Sequence, residues 1–159
     1  MPRRQPLGVE IAGFDGGVPI AELSRSCAVI PDAPGVYVVV APEEFKARFL
    51  HESSGGHFKG REPSVPVEKL HACWVPESPV LYICKATRLQ IRIKQYLRFG
   101  AGHPVPHWGG RHIWQLSNAQ ELLFYWKPTP ADDPRDAERS MLALFRAEYG
   151  RLPFANMRA

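Results

Sequence analysis

Val80-Leu81-Tyr82-Ile83-Cys84-Lys85-Ala86, followed almost at once by Leu89-Gln90-Ile91-Arg92-Ile93-Lys94-Gln95-Tyr96-Leu97-Arg98-Phe99-Gly100, decides the fold class. The run Val80–Cys84 is short, apolar, rich in β-formers and preceded by Pro79, so it reads as a strand. In the second stretch Leu89, Ile93, Tyr96 and Leu97 recur at helical spacing, which predicts a helix over Arg88–Phe99 with Gly100 as its C-cap. Upstream, Val36–Val40 is an unbroken β-branched run beginning with Val36-Tyr37, and its lack of alternation predicts a strand buried on both faces. Pro42 is expected to open a short helix with Phe45, Phe49 and Leu50 as its apolar stripe. Ser53–Pro66, rich in glycine and charge, is expected to be mobile, and Leu70–Val75 to form a further short strand. Residues 1–34 read as irregular, apart from one short turn around Ala21–Ser24. Downstream come a loop over Ala101–Gly110, strands at His112–Leu116 and Leu122–Lys127, and a helix from Asp133-Pro134 to about Tyr149, stopped by Gly150. The expectation is a single domain over residues 1–159. It is a small α/β (α+β) sandwich with a mixed or antiparallel central sheet flanked by helices.

The chain of 159 residues is long enough for a core, and 45% hydrophobic and 23% charged residues are ordinary for a globular protein. The net charge of +4 is unevenly spread. Ser78–Gln120 contains no Asp or Glu but holds Lys85, Arg88, Arg92, Lys94, Arg98 and Arg111. A one-sided basic region is the footprint of a polyanion-binding surface, although a solvated basic helix produces the same count. Cys27, Cys73 and Cys84 are odd in number and widely spaced, which argues against a disulfide framework or a structural zinc site. No apolar run suits a membrane span, and Met1-Pro2-Arg3-Arg4-Gln5-Pro6 lacks the apolar segment of a signal peptide, so a cytoplasmic location is expected.

Arg88, Arg92 and Tyr96 stand at i, i+4 and i+8 of the helix around them, on one face. An arginine beside a phenol can hold a phosphate oxygen while the phenol exchanges a proton, but snorkelling and packing are the commoner roles of such a pair. Glu138 precedes Met141, Leu142 and Phe145 by three, four and seven residues, which turns it toward the core side of the last helix. A carboxylate there needs a cation or several hydrogen bonds, and a divalent metal or Arg92 would each answer. Tyr37 and Tyr82, as aromatic residues in strands, suit a core equally well. His103, His107 and His112 match no closed zinc spacing, and His107-Trp108-Gly109-Gly110-Arg111 better suits a phosphate-contacting or substrate-shaping loop.

Together these residues resemble the GIY-YIG nuclease superfamily, over about residues 34–156. Gly35-Val36-Tyr37 stands for the GIY element, and Tyr82-Ile83-Cys84, followed by Lys85-Ala86, for YIG. Arg92, ten residues after Tyr82, Tyr96, Glu138 and Asn156 fall in order at the remaining motif positions. The resemblance implies one Mg²⁺ or Mn²⁺ held by Glu138, a water deprotonated with the help of Tyr82 or Tyr37, and Arg92 neutralising charge on the phosphate. Lys85, Tyr96 and Asn156 would support that chemistry. Arg88, Lys94, Arg98, His107 and Arg111 would contact nucleic acid, DNA foremost, with RNA not excluded. No membrane partner is implied, and a monomer or a homodimer would serve. The chain departs from the family at Cys84, which stands for a glycine and implies reduced activity. It departs also in the spacing of 45 positions from Tyr37 to Tyr82, which implies an insertion over about residues 41–79 that reaches DNA. The resemblance thus implies a metal-dependent endonuclease. The alternative is a catalytically weakened nucleic-acid-binding protein on the same fold.

Overall fold

The computed structural model describes residue 11 and residues 13–157. At its centre is a four-stranded sheet in the order β1 (Asp15–Pro19), β4 (Leu123–Pro128), β2 (Gly35–Val40), β3 (Val80–Ala86), antiparallel at every pairing. The helices are α1 (Ile20–Leu23), α2 (Val67–Cys73), α3 (Leu89–Gly100) and α4 (Pro134–Tyr149). Successive side chains of a strand face opposite ways. Tyr37 and Val39 of β2 therefore join Leu89, Ile93, Tyr96 and Phe99 of α3 on one side of the sheet. Val38 and Val40 join Leu142 and Phe145 of α4 on the other. All six residues of β2 are buried, which is why its sequence shows no polar alternation.

The start and stop of α4 follow the sequence signals. Asp133 accepts a hydrogen bond from the Arg135 backbone N–H, Pro134 occupies the first turn, and Gly150 ends the helix at φ 72°. Gly100 is the last residue of α3, and the cap is Ala101 rather than the glycine. The glycine answers a different need: a Cβ there would stand 2.4 Å from the Trp114 indole. The helix end and the indole approach too closely for any side chain.

Four local expectations are corrected. Within the segment read as irregular, Asp15–Pro19 is a strand, paired with β4 and broken in register between Gly16 and Val18. Its Gly-Gly pair, at φ 106° and 77°, hides it from propensity, and the sheet supplies the order. Residues 1–10 of that segment lie outside the described residues. No helix forms at Pro42–Leu50; the chain instead bridges Phe49 to Leu116, with Leu50 N–H donating to Gln115 O at 2.8 Å. The apolar stripe is satisfied by Phe49 packing on His71, Trp74 and Phe154. Leu70–Val75 is not a strand: residues up to Cys73 belong to α2, in which Leu70 alone is buried, a helical rather than an alternating pattern. His112–Leu116 is largely a 3₁₀ turn over Arg111–Gln115, a short buried run whose periodicity cannot separate strand from turn.

The insertion is fastened along its length. The buried Gln115 amide donates to Leu50 O at 2.8 Å and Val65 O at 2.7 Å and accepts from Val65 N–H at 3.0 Å. Ser54 Oγ donates to Gly100 O at 2.7 Å, and Gly56 N–H to Phe99 O at 2.9 Å. Ser53–Pro66, expected to be mobile, is thus held at both ends against α3 and the 3₁₀ turn.

Candidate functional site

The register between β2 and β3 pairs Tyr37 with Cys84 and Val39 with Tyr82. Tyr37, Tyr82 and Cys84 therefore share the face covered by α3, from which Tyr96 reaches in. The Tyr37 and Tyr82 rings meet edge-on at 6.1 Å, and the Tyr82 and Tyr96 rings lie tilted at 5.4 Å. The loop after α3 closes over them. Tyr96 donates its hydroxyl to Gly110 O at 2.6 Å, and the His107 ring stacks on Tyr96 at 4.1 Å. Gly110, at φ 80°, lies so near Tyr82 that a Cβ would meet the ring at 2.6 Å.

His107 is fully buried, and its two nitrogens are assigned by their partners. Nδ1 lies 2.9 Å from Gly109 O, which can only accept, so Nδ1 carries the hydrogen. Nε2 then accepts from the Tyr37 hydroxyl at 2.8 Å. Burial, followed by the nearby Arg92 charge, pushes His107 down to about 3, so the imidazole is neutral at physiological pH. Burial likewise raises the Tyr37 and Tyr82 phenols well above their ordinary range, and the Cys84 thiol beside them raises them further. Arg92 acts in the opposite direction on both. One of its terminal nitrogens donates to Pro106 O at 3.0 Å and Gln95 Oε1 at 3.3 Å. Cys84 and Arg92 are partly exposed and form the open rim of this otherwise buried cluster.

A second group of predicted residues lines the free edge of β3. An edge strand leaves backbone groups that need partners. Here Asn156 serves as a short strand substitute: its Oδ1 accepts from Ile83 N–H and its Nδ2 donates to Ile83 O, both at 2.9 Å. Leu81, at a register shift of β3, offers its carbonyl to Ala155 N–H at 2.8 Å. Glu138 completes the row, with Oε2 accepting from Lys85 N–H at 2.9 Å and Oε1 3.5 Å from Lys85 Nζ. The cation beside Glu138 in this structure is thus Lys85, not Arg92. The Glu138 side chain keeps 16% exposure.

Among the described residues no three His, Cys, Asp or Glu side chains gather as a metal-holding group. Glu138 offers one partly exposed carboxylate, whose Oε1 has only the long 3.5 Å contact to Lys85 Nζ. That donor set suits Mg²⁺, which keeps much of its water and takes one or two carboxylates plus substrate phosphate.

The residues expected to bind nucleic acid are dispersed. Arg88 does not share the Arg92–Tyr96 face; it precedes α3 in extended conformation and pairs with Asp32 at 2.6 Å. Lys94 and Arg98 are exposed on α3. His107 is a buried partner of Tyr37 rather than a surface contact. Arg111 is half-buried against Trp108. Sequence reasoning singled out Cys84 as a departure that reduces activity, but missed that its thiol stands beside both phenols and that His107 is the partner of Tyr37. The β2–β3 register would have found Cys84, once the 45-position spacing was known to close as an antiparallel pair.

No known family profile matches this chain, and searches of curated proteins and of solved structures find no significant relative. Among the described residues no helix is long and apolar enough to cross a membrane.

Proposed function

We propose that this protein is a metal-dependent endonuclease that hydrolyses DNA phosphodiester bonds at a GIY-YIG-type site. One observation carries the reading: side chains from four separated segments converge on β3. Tyr37 and Arg92 gather at Tyr82 and Cys84 on one face, while Glu138 and Asn156 grip Lys85 and Ile83 along its edge.

The roles follow from the chemistry of each group. Glu138 would hold one Mg²⁺ or Mn²⁺, which when bound supplies charge to polarise a phosphate and stabilise the leaving oxygen. Arg92 has Nε and Nη2 without hydrogen-bond partners among the described residues, so a bidentate hold on a phosphate is available to it. Tyr37 has its proton committed to His107, which leaves Tyr82 as the phenol to orient or accept from the attacking water. With its pKa raised by burial, Tyr82 stays protonated until positive charge gathers beside it, and Arg92 provides part of that charge. Asn156 at Ile83, and Glu138 at the Lys85 N–H, hold the strand that carries Tyr82.

A second reading, a catalytically weakened nucleic-acid-binding protein, is favoured by Cys84. Its thiol stands against both phenols and raises them, which works against proton removal.

A plasmid-nicking assay in Mg²⁺, Mn²⁺ and EDTA tests the proposal, with Glu138→Gln beside Glu138→Ala. Glutamine keeps an acceptor for the Lys85 N–H and so preserves the edge, whereas alanine removes both the charge and the structural bond. Metal-dependent nicking that is lost in Glu138→Gln with folding intact is the expected result. Nicking that survives in folded Glu138→Gln would overturn the assignment of the carboxylate.

A further inference from the structure

Arg61 and Arg111 both lie over one indole. The guanidinium carbon of Arg61 is 4.3 Å from the centre of the Trp108 ring, and that of Arg111 is 4.7 Å from it. The two charges therefore stand within about 10 Å of each other, no farther than the screening length at 0.1 M salt. Neither forms an ion pair among the described residues. Arg111 carries a further cost, because its Nε is buried with no hydrogen-bond partner. Burial, and then the Arg61 charge, lower the Arg111 pKa. Two like charges held this close repel, and an anion bound to both would offset that repulsion.

The arrangement is built rather than incidental. Arg61 comes from the insertion, whose path on either side is fixed by the Gly56–Phe99 and Val65–Gln115 hydrogen bonds. Trp108 is held between His107, bonded to Tyr37, and Gly109-Gly110, which touch Tyr82 and Tyr96. Phe99 of α3 meets its ring edge-on at 6.2 Å. Whatever binds at the arginines therefore lies beside the tyrosine cluster. Arginine over an indole is held by cation–π attraction with its planar fork set for a phosphate oxygen pair.

We propose that Arg61, Trp108 and Arg111 form a seat for the phosphodiester backbone of a nucleic-acid strand, through which the insertion grips the substrate next to the reacting site. This rests on the reading of the protein as acting on nucleic acid. It adds that the insertion, whose overall charge is not basic, contributes one specific phosphate contact.

Binding of a fluorescein-labelled DNA oligonucleotide, measured by anisotropy in EDTA, separates grip from cleavage. Arg61→Gln, Arg111→Gln and the double variant are compared with wild type and with Arg139→Gln on α4. Each seat variant is expected to weaken binding several-fold and to reduce the slope of log affinity against log salt by about 1, and the double variant by about 2. Arg139→Gln should change neither. Arg61 is exposed, so Arg61→Gln removes no core contact; Trp108→Phe, which keeps an aromatic platform, serves if Arg111→Gln melts early. Unchanged affinity and slope in the folded double variant, or no binding by wild type, overturns the seat. Weakened binding by the variants, with no nicking by wild type in any metal, upholds the seat while the endonuclease reading fails.

Discussion

Tyr37 donates its hydroxyl hydrogen to Nε2 of His107, joining β2 to a loop 70 residues later. The bond fixes three things at once: the imidazole tautomer, the closure of the loop over the tyrosines, and the direction in which the Tyr37 proton points. In Tyr37→Phe the buried Nε2 loses its donor. Stability should fall by about 1–3 kcal/mol, the usual cost of an unsatisfied buried polar group. Urea denaturation of Tyr37→Phe, His107→Phe and the double variant should show the two effects to be less than additive, because either change alone breaks the same bond. Strict additivity would show that the bond contributes nothing to stability.

The same histidine predicts how stability responds to acid. Its folded pKa, about 3, lies below the ordinary value of 6.5. The unfolded state therefore binds the proton first. The contribution is fully present above pH 6.5 and is lost as the pH falls toward 3, at up to about 1.4 kcal/mol per pH unit for one proton. Unfolding free energy measured from pH 7 to 4 should decline for wild type and flatten in His107→Phe over that window. A stability profile independent of pH between 6.5 and 4 would contradict the neutral buried imidazole.

The β2, β3 and α3 elements were legible because each carries a strong local pattern, either a short apolar run of strand formers or apolar residues at helical spacing. The same holds for α4, with its Asp-Pro start and Gly150 stop. The strand at Asp15–Pro19 was not legible, since Gly16 and Gly17 carry no strand propensity and only pairing with β4 orders them. The insertion was misread for a related reason. Its apolar residues are spaced like a helix face, yet Phe49 is held by the bridge to Leu116 and by the rings of His71, Trp74 and Phe154, contacts distant in sequence. Among the candidate site residues, Glu138 was recognisable as turned inward, but its partner was not. Whether it met Arg92 or Lys85 depended on α4 lying across the far face of the sheet.

The Asn156 amide is expected to behave as part of the sheet. Asn156→Asp keeps the acceptor for Ile83 N–H but replaces the donor to Ile83 O with a second acceptor, setting a charge against a carbonyl. A loss of about 1–3 kcal/mol is expected. Because β3 is an edge strand, exposing Ile83 should also promote association between copies. Thermal unfolding followed with light scattering reports both effects, and an unchanged melting temperature would show that the amide does not hold the edge.

Cys84→Gly separates an active nuclease from a weakened one, because the side chain removed lies beside the phenols and, although its Sγ donates to Lys85 O at 3.4 Å, it shares none of the Glu138 hydrogen bonds. A glycine in a strand interior costs about 0.5–1 kcal/mol relative to alanine, so a small loss of stability is expected whichever reading holds. Removing the thiol also removes a group that raises both Tyr37 and Tyr82. If Tyr82 must give up or share its proton, the nicking rate should rise and its pH profile should shift toward lower pH. The profile carries the argument, since a purely structural thiol could alter the rate through packing but would leave the profile where it was. Faster nicking with a shifted profile identifies the thiol as a brake on the tyrosine. Slower nicking with an unshifted profile would mean that Cys84 serves only to pack the space between β3 and α3.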